Sequence, residues 1–206
     1  MNVTGVILDS NDSRLRDQII TGLIRLNDET LIEKQVREMK RICEEIILVT
    51  DRPSSYLPVL GNSIRIITNY FKGSETLSAV HAALSLAKND YLWIVTPDMP
   101  FLSSAVIEVM FRVKKQDGQL IIPECNGSLQ LFHSLYSRSC IDVTTQLLEQ
   151  DKASMMSLIE RISFSIVGQE VFKEQLITQP FSLRIRNAAE YNKMIDNSQN
   201  DSVISI

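Results

Sequence analysis

The sequence has no basic cluster, no long apolar run and few cysteines. Its 206 residues hold 21 Lys and Arg against 25 Asp and Glu, a formal charge of −4. That balance argues against nucleic acid or an anionic membrane as the main partner. No apolar stretch approaches the ~20 residues a membrane span needs, and Met1–Leu8 lacks the charged and apolar regions of a secretory signal. Three cysteines, Cys43, Cys125 and Cys140, are widely spaced and odd in number. They read as reduced thiols of a cytoplasmic protein, with a zinc site improbable. Seven Gly and six Pro leave no room for a long flexible linker. The length fits one substantial α/β domain, expected over 1–196, with a loose polar tail at 197–206.

What is present is an alternation of strands and helices. Val3–Leu8, Glu45–Thr50, Ser63–Thr68 and Tyr91–Val95 are short apolar, β-prone runs. Leu31–Cys43, Thr76–Ala87 and Ser103–Val113 carry apolar residues at helical spacing. Asp51–Ser55 is a turn cluster. This order predicts a mainly parallel sheet with helices on both faces. The second half is less regular. Gln119–Pro123 and Leu129–Tyr136 read as strands joined at Asn126-Gly127-Ser128, so a hairpin or a crossing antiparallel element fits better than another βα unit. Cys140–Gln150, Met155–Arg161 and Ala188–Ile195 are expected helices, and Ser163–Val167 is one more strand.

Thr96-Pro97-Asp98-Met99-Pro100 is the most informative stretch. Pro97 stops the ladder after Val95, so Asp98 falls just past a strand's carboxyl end. Open α/β sheets bind ligands in the crevice there. Two readings stand for Asp98, an oxygen ligand for a divalent cation or a cap for the following helix.

Gly5-Val6-Ile7-Leu8, Gly22–Asn27, Thr96–Leu102, the stretch Ser128–Arg138 and the closing Phe181–Tyr191, taken in order, resemble the molybdenum cofactor guanylyltransferase family. The resemblance covers essentially the whole chain and implies a three-layer, Rossmann-like nucleotidyltransferase fold. It also implies transfer of GMP from GTP to molybdopterin with Mg²⁺ bound. By resemblance, Asp98 is the metal-holding and catalytic residue, and Leu8, Arg14 and Arg16 are nucleotide contacts.

The sequence departs from that family where triphosphate would lie. The family's glycine-rich loop and its lysine are replaced by Asp9–Ile20 and Thr21. Glycines let backbone amides approach phosphates, and Asp9, Asp12 and Asp17 add charge of the wrong sign. At an effective dielectric of ~20, one carboxylate ~4 Å from a phosphate charge costs about 4 kcal/mol, roughly three decades in affinity. The family's closing Asn pair becomes Arg184 and Arg186, which read either as a solvated edge or as an anion pocket with Arg14 and Arg16. His81 reads as a satisfied, partly buried histidine. His133 reads as packing before ligand contact, and Met155-Met156 as core filling. Two functions therefore stand. One is a Mg²⁺-dependent guanylyltransferase in which arginines replace the lysine. The other is a silent relative that binds a pterin, or a protein of the molybdenum cofactor pathway.

Overall fold

The computed structural model describes residues 1–9, 20–71, 75–114, 118–150, 154–178, 180–185 and 187–193. Its first strand, β1 (Val3–Asp9), is buried along its whole length. A 3₁₀ turn at Thr21–Leu23 leads into a small hairpin, β2 (Arg25–Leu26) and β3 (Glu29–Thr30). Helix α1 (Leu31–Met39) starts there because Thr30 and Glu33 form a reciprocal capping box, which satisfies backbone donors that a helix start leaves open.

Next come β4 (Glu45–Thr50), α2 (Pro53–Leu60), β5 (Arg65–Ile67), α3 (Glu75–Leu86), β6 (Tyr91–Val95) and α4 (Ser104–Val113). Strand β7 (Leu120–Cys125) turns through Asn126 and Gly127 into β8 (Ser128–Leu129). Both turn residues have positive φ, 51° and 73°, the signature of a tight hairpin turn. The chain closes with β9 (Ser134–Ser137), α5 (Ile141–Glu149), α6 (Met155–Ile159), β10 (Phe164–Val167) and α7 (Gln169–Glu174), and a helical turn over 188–193.

The strands lie in the order β10-β7-β9-β6-β1-β4-β5. Strands β5, β4, β1 and β6 are mutually parallel, and β9 runs antiparallel to β6 and β7. The antiparallel crossing expected in the second half is therefore β9. The α/β class with a mostly parallel sheet holds.

Side chains of β1, β4 and β6 alternate between two cores. Val3, Ile7, Ile46, Leu48, Trp93 and Val95 join one, packed with residues of α1 and α4. Val6, Leu8, Ile47, Val49, Leu92 and Ile94 join the other, packed with residues of α3 and α5. A two-residue period with both faces covered requires apolar residues throughout such strands.

Three expectations need correction. The strand expected over Leu129–Tyr136 is two short ones, because His133 takes φ 66° and breaks the extended run. The turn cluster Asp51–Ser55 runs into α2, with Pro53 at its first turn, where a missing N–H costs nothing. Helix α4 is capped by Ser103, whose Oγ accepts from Val106 N–H. Asp98 is therefore free of that duty. The expected tail at 197–206 lies outside the described residues. Among those described, no helix is long and apolar enough to cross a membrane.

Candidate active site

The parallel strands grow outward from β1 to β4 and β5, then the chain returns to place β6 on the other side of β1. That reversal is a topological switch point, where the carboxyl ends of neighbouring strands diverge and leave a crevice. Asp9 ends β1 beside it, and Asp98 follows β6 by three residues.

Asp98 is fixed from three directions. Thr96 Oγ1 donates to its Oδ1 at 2.6 Å. Arg184 Nη1 donates to its Oδ2 at 3.1 Å. Its backbone carbonyl accepts from Ile185 N–H at 2.8 Å. The Arg184 guanidinium also lies 5.4 Å from the centre of the Phe132 ring, near enough for a cation–π contact. Ile185 anchors the segment by burying its side chain with Leu26, Leu31 and Tyr191.

The turn that presents Asp98 is held from below by Gln35. This residue is 1% exposed in α1, and its Nε2 donates to Thr96 O at 3.0 Å and Met99 O at 2.9 Å. Its Oε1 is buried without a hydrogen-bond partner among the described residues. Sequence reasoning passed over Gln35, yet the signal was there. It shares the i, i+3, i+4, i+7 stripe of Ile32, Val36 and Met39, and an amide on an apolar stripe must find partners inside.

Asp9 is nearly inaccessible and faces β4. Thr50 Oγ1 donates to its Oδ2 at 3.0 Å, and an Arg52 nitrogen lies 3.6 Å from Oδ1. Burial raises its pKa above the usual carboxylate range, against the opposing pull of side-chain hydrogen bonds and the Arg52 charge. Leu8 is buried, and its side chain belongs to the core on the α3 face. Arg14, Arg16, Arg186 and most of the expected loop Asp9–Ile20 lie outside the described residues.

The two histidines sit inside the fold. His133 is fully buried. Its Nε2 accepts from Ser103 N–H at 3.0 Å, and its ring lies 5.2 Å from Trp93 and 5.0 Å from Phe181. Burial depresses its pKa to about 3, so the ring is neutral at ordinary pH. His81 is half-buried, 3.0 Å from Thr145 Oγ1 and edge-on to Phe71.

The donor set at Asp98 does not fit a divalent cation in this arrangement. Each carboxylate oxygen keeps a second lone pair beside its one hydrogen bond, but the Arg184 guanidinium at Oδ2 puts a positive charge where a cation would sit and repels it. No group of three or more His, Cys, Asp or Glu gathers for a metal among the described residues.

Comparison with known proteins places this geometry in a lineage. Residues 13–165 match the model of the MobA-like NTP transferase domain. A probable molybdenum cofactor guanylyltransferase from Clostridium perfringens is 24% identical over 194 residues, 93% of this chain and 96% of the relative. The molybdenum cofactor guanylyltransferase of Desulfosudis oleivorans is 25% identical over 168 residues, 82% of each chain. Among solved structures, molybdopterin-guanine dinucleotide biosynthesis protein A of Archaeoglobus fulgidus superposes with a TM-score of 0.74 at 17% identity, covering 97% of this chain and all of its own.

Proposed function

The chain belongs to the MobA-like NTP transferase family, and from that premise we propose that it serves molybdenum cofactor biosynthesis as a catalytically silent relative that binds molybdopterin and has given up Mg²⁺-dependent GMP transfer from GTP. The observation that carries this reading is Asp98, whose two carboxylate oxygens are engaged by Thr96 and Arg184. A transferase of this type needs charge developing on the phosphates to be neutralised at that edge, and a metal supplies this most directly. Here the positive charge already present is Arg184. The acidic run Asp9, Asp12 and Asp17 in place of a glycine loop, with Thr21 in place of a lysine, supports the same reading. Guanidinium groups bind phosphate oxygens well without a metal.

A second reading, a working Mg²⁺-dependent guanylyltransferase, is favoured by one observation. Asp98 is retained at the switch point, and the Arg184 side chain is 44% exposed, free enough to move. In that reading Arg184 leaves Asp98 to Mg²⁺, while Leu8, Arg14 and Arg16 contact the nucleotide.

Thermal unfolding with GTP, with and without Mg²⁺, and with molybdopterin tests the proposal. A ligand at ~100 Kd adds about 2.7 kcal/mol, worth roughly 5–10 °C in a chain of this size. The proposal expects a shift with molybdopterin that is equal in Mg²⁺ and in EDTA, and none with GTP. A shift with GTP that requires Mg²⁺ supports the second reading, and no shift with molybdopterin sinks the first.

A further inference from the structure

We infer that Asp98 is a latent divalent-cation site, kept closed by the chain's own Arg184. The inference rests on the reading above, that Asp98 is not serving a metal, and it adds what closes the site and what would open it.

Arg184 is held against Asp98 by more than its charge. The backbone bond from Ile185 N–H to Asp98 O, at 2.8 Å, ties the two segments together one residue from the guanidinium. Ile185 is 1% exposed, with its side chain among Leu26, Leu31 and Tyr191, so this tie is backed by apolar packing. A turn closed by Leu183 N–H on Pro180 O, at 3.0 Å, leads the chain in. The guanidinium rests over Phe132, which limits where it can go. The result is a strap across the Asp98 turn that delivers a cation to Oδ2 at 3.1 Å.

A divalent ion bound to the same oxygen would sit within a few ångströms of that guanidinium, and like charges at such a separation repel strongly. The closure is therefore electrostatic, and any side chain that keeps the charge should keep the site shut. Without the charge, Asp98 offers a partly exposed carboxylate, and Thr96 offers a hydroxyl 2.6 Å from it. Both are oxygen ligands of the kind hard cations take, with water completing the shell. The turn that carries them stays fixed by Gln35 below. The Ile185 anchor does not involve the arginine side chain, so removing the guanidinium leaves the strap in place.

The test is Mn²⁺ binding followed by electron paramagnetic resonance, with neither nucleotide nor pterin present. The proteins are wild type, Arg184→Lys, Arg184→Met, and Arg184→Met combined with Asp98→Asn. Arg184→Met should gain one Mn²⁺ site at least tenfold tighter than anything Asp98-dependent in wild type. Adding Asp98→Asn should abolish it, and Arg184→Lys should behave as wild type. Wild type holding Mn²⁺ through Asp98 as tightly as Arg184→Met would overturn the inference. So would an Arg184→Met protein that gains no site, or an Arg184→Lys protein that opens as fully as Arg184→Met. Because no GTP or molybdopterin is used, failure of the ligand-binding proposal leaves this result readable, and the converse holds as well.

Discussion

Replacing Gln35 by Leu strips two hydrogen bonds from the turn that presents Asp98. The Gln35 amide nitrogen donates to Thr96 O at 3.0 Å and Met99 O at 2.9 Å, and a leucine of similar size can donate to neither. Met99 O is then left unpaired, at about 1–3 kcal/mol, while Thr96 O keeps the Met99 N–H at 3.3 Å and loses one hydrogen bond, about 0.5–1.5 kcal/mol. The change also removes Oε1, which is buried without a hydrogen-bond partner among the described residues, and so recovers a desolvation penalty of about 1–3 kcal/mol. The orphaned carbonyl is offset by the recovered Oε1, which leaves a net destabilisation of about 0.5–1.5 kcal/mol, or roughly 1–6 °C in melting temperature for a domain of this size. Urea unfolding should show a lower midpoint with an unchanged slope. Amide exchange should rise at Ile185, whose N–H is bonded to Asp98 O. Gln35→Glu is the sharper control. It sets an ionised carboxylate against two carbonyl oxygens at neutral pH, so it should cost more than Gln35→Leu and recover in acid, where a protonated carboxyl can donate once. A Gln35→Leu protein within about 0.5 kcal/mol of wild type, with unchanged exchange at Ile185, would refute the clamp.

Other predictions concern buried titratable groups. His133 has its pKa depressed by burial to about 3, so its contribution to stability is complete above its unfolded pKa and lost as pH falls through the window between 6.5 and 3. Relative to His133→Gln, wild type should lose about 1.4 kcal/mol per pH unit across that window, and parallel pH–stability curves would contradict it. Asp9 is shifted the other way. Burial raises its folded pKa, so its favourable contribution is present in acid and lost as pH rises through that pKa. Asp9→Asn, which keeps an acceptor for Thr50, should therefore gain on wild type from acid to neutral pH, and a pH-independent difference would count against the assignment. Cys43 and Cys140 are buried, with thiols pushed up to about 12. Neither should react with a thiol reagent at neutral pH until the protein unfolds, and fast labelling of the native state at either position would show the burial to be wrong.

The elements legible in the sequence are those whose patterns are local. Strands β4 and β6 match their expected bounds at both ends, and β1 extends one residue further, to Asp9. Fully buried strands are continuous apolar runs, and these stand out against polar neighbours. Helix α2 was masked because Pro53 marks both a turn and a helix's first position. Strand β9 starts later than its apolar run suggests because His133 takes a positive φ, a conformation that histidine adopts more often than most residues but still only in a small minority of cases. The small β2–β3 hairpin is too short to show a period. The position of Asp98 at the carboxyl edge followed from Pro97 and the strand before it. Its pairing did not, because Arg184 is 86 residues away and a contact between two loops leaves no periodic trace.

The central claim is that Asp98, the carboxylate that the family resemblance offers as a metal ligand, is satisfied by the chain's own arginine. Turnover with labelled GTP, molybdopterin and Mg²⁺, run side by side on wild type and Asp98→Asn, tests it most directly. The account predicts no GMP transfer by either protein and nearly equal stabilities, since an ion pair this exposed contributes only ~0–1 kcal/mol. Robust, Mg²⁺-dependent transfer by wild type that disappears in Asp98→Asn would contradict it.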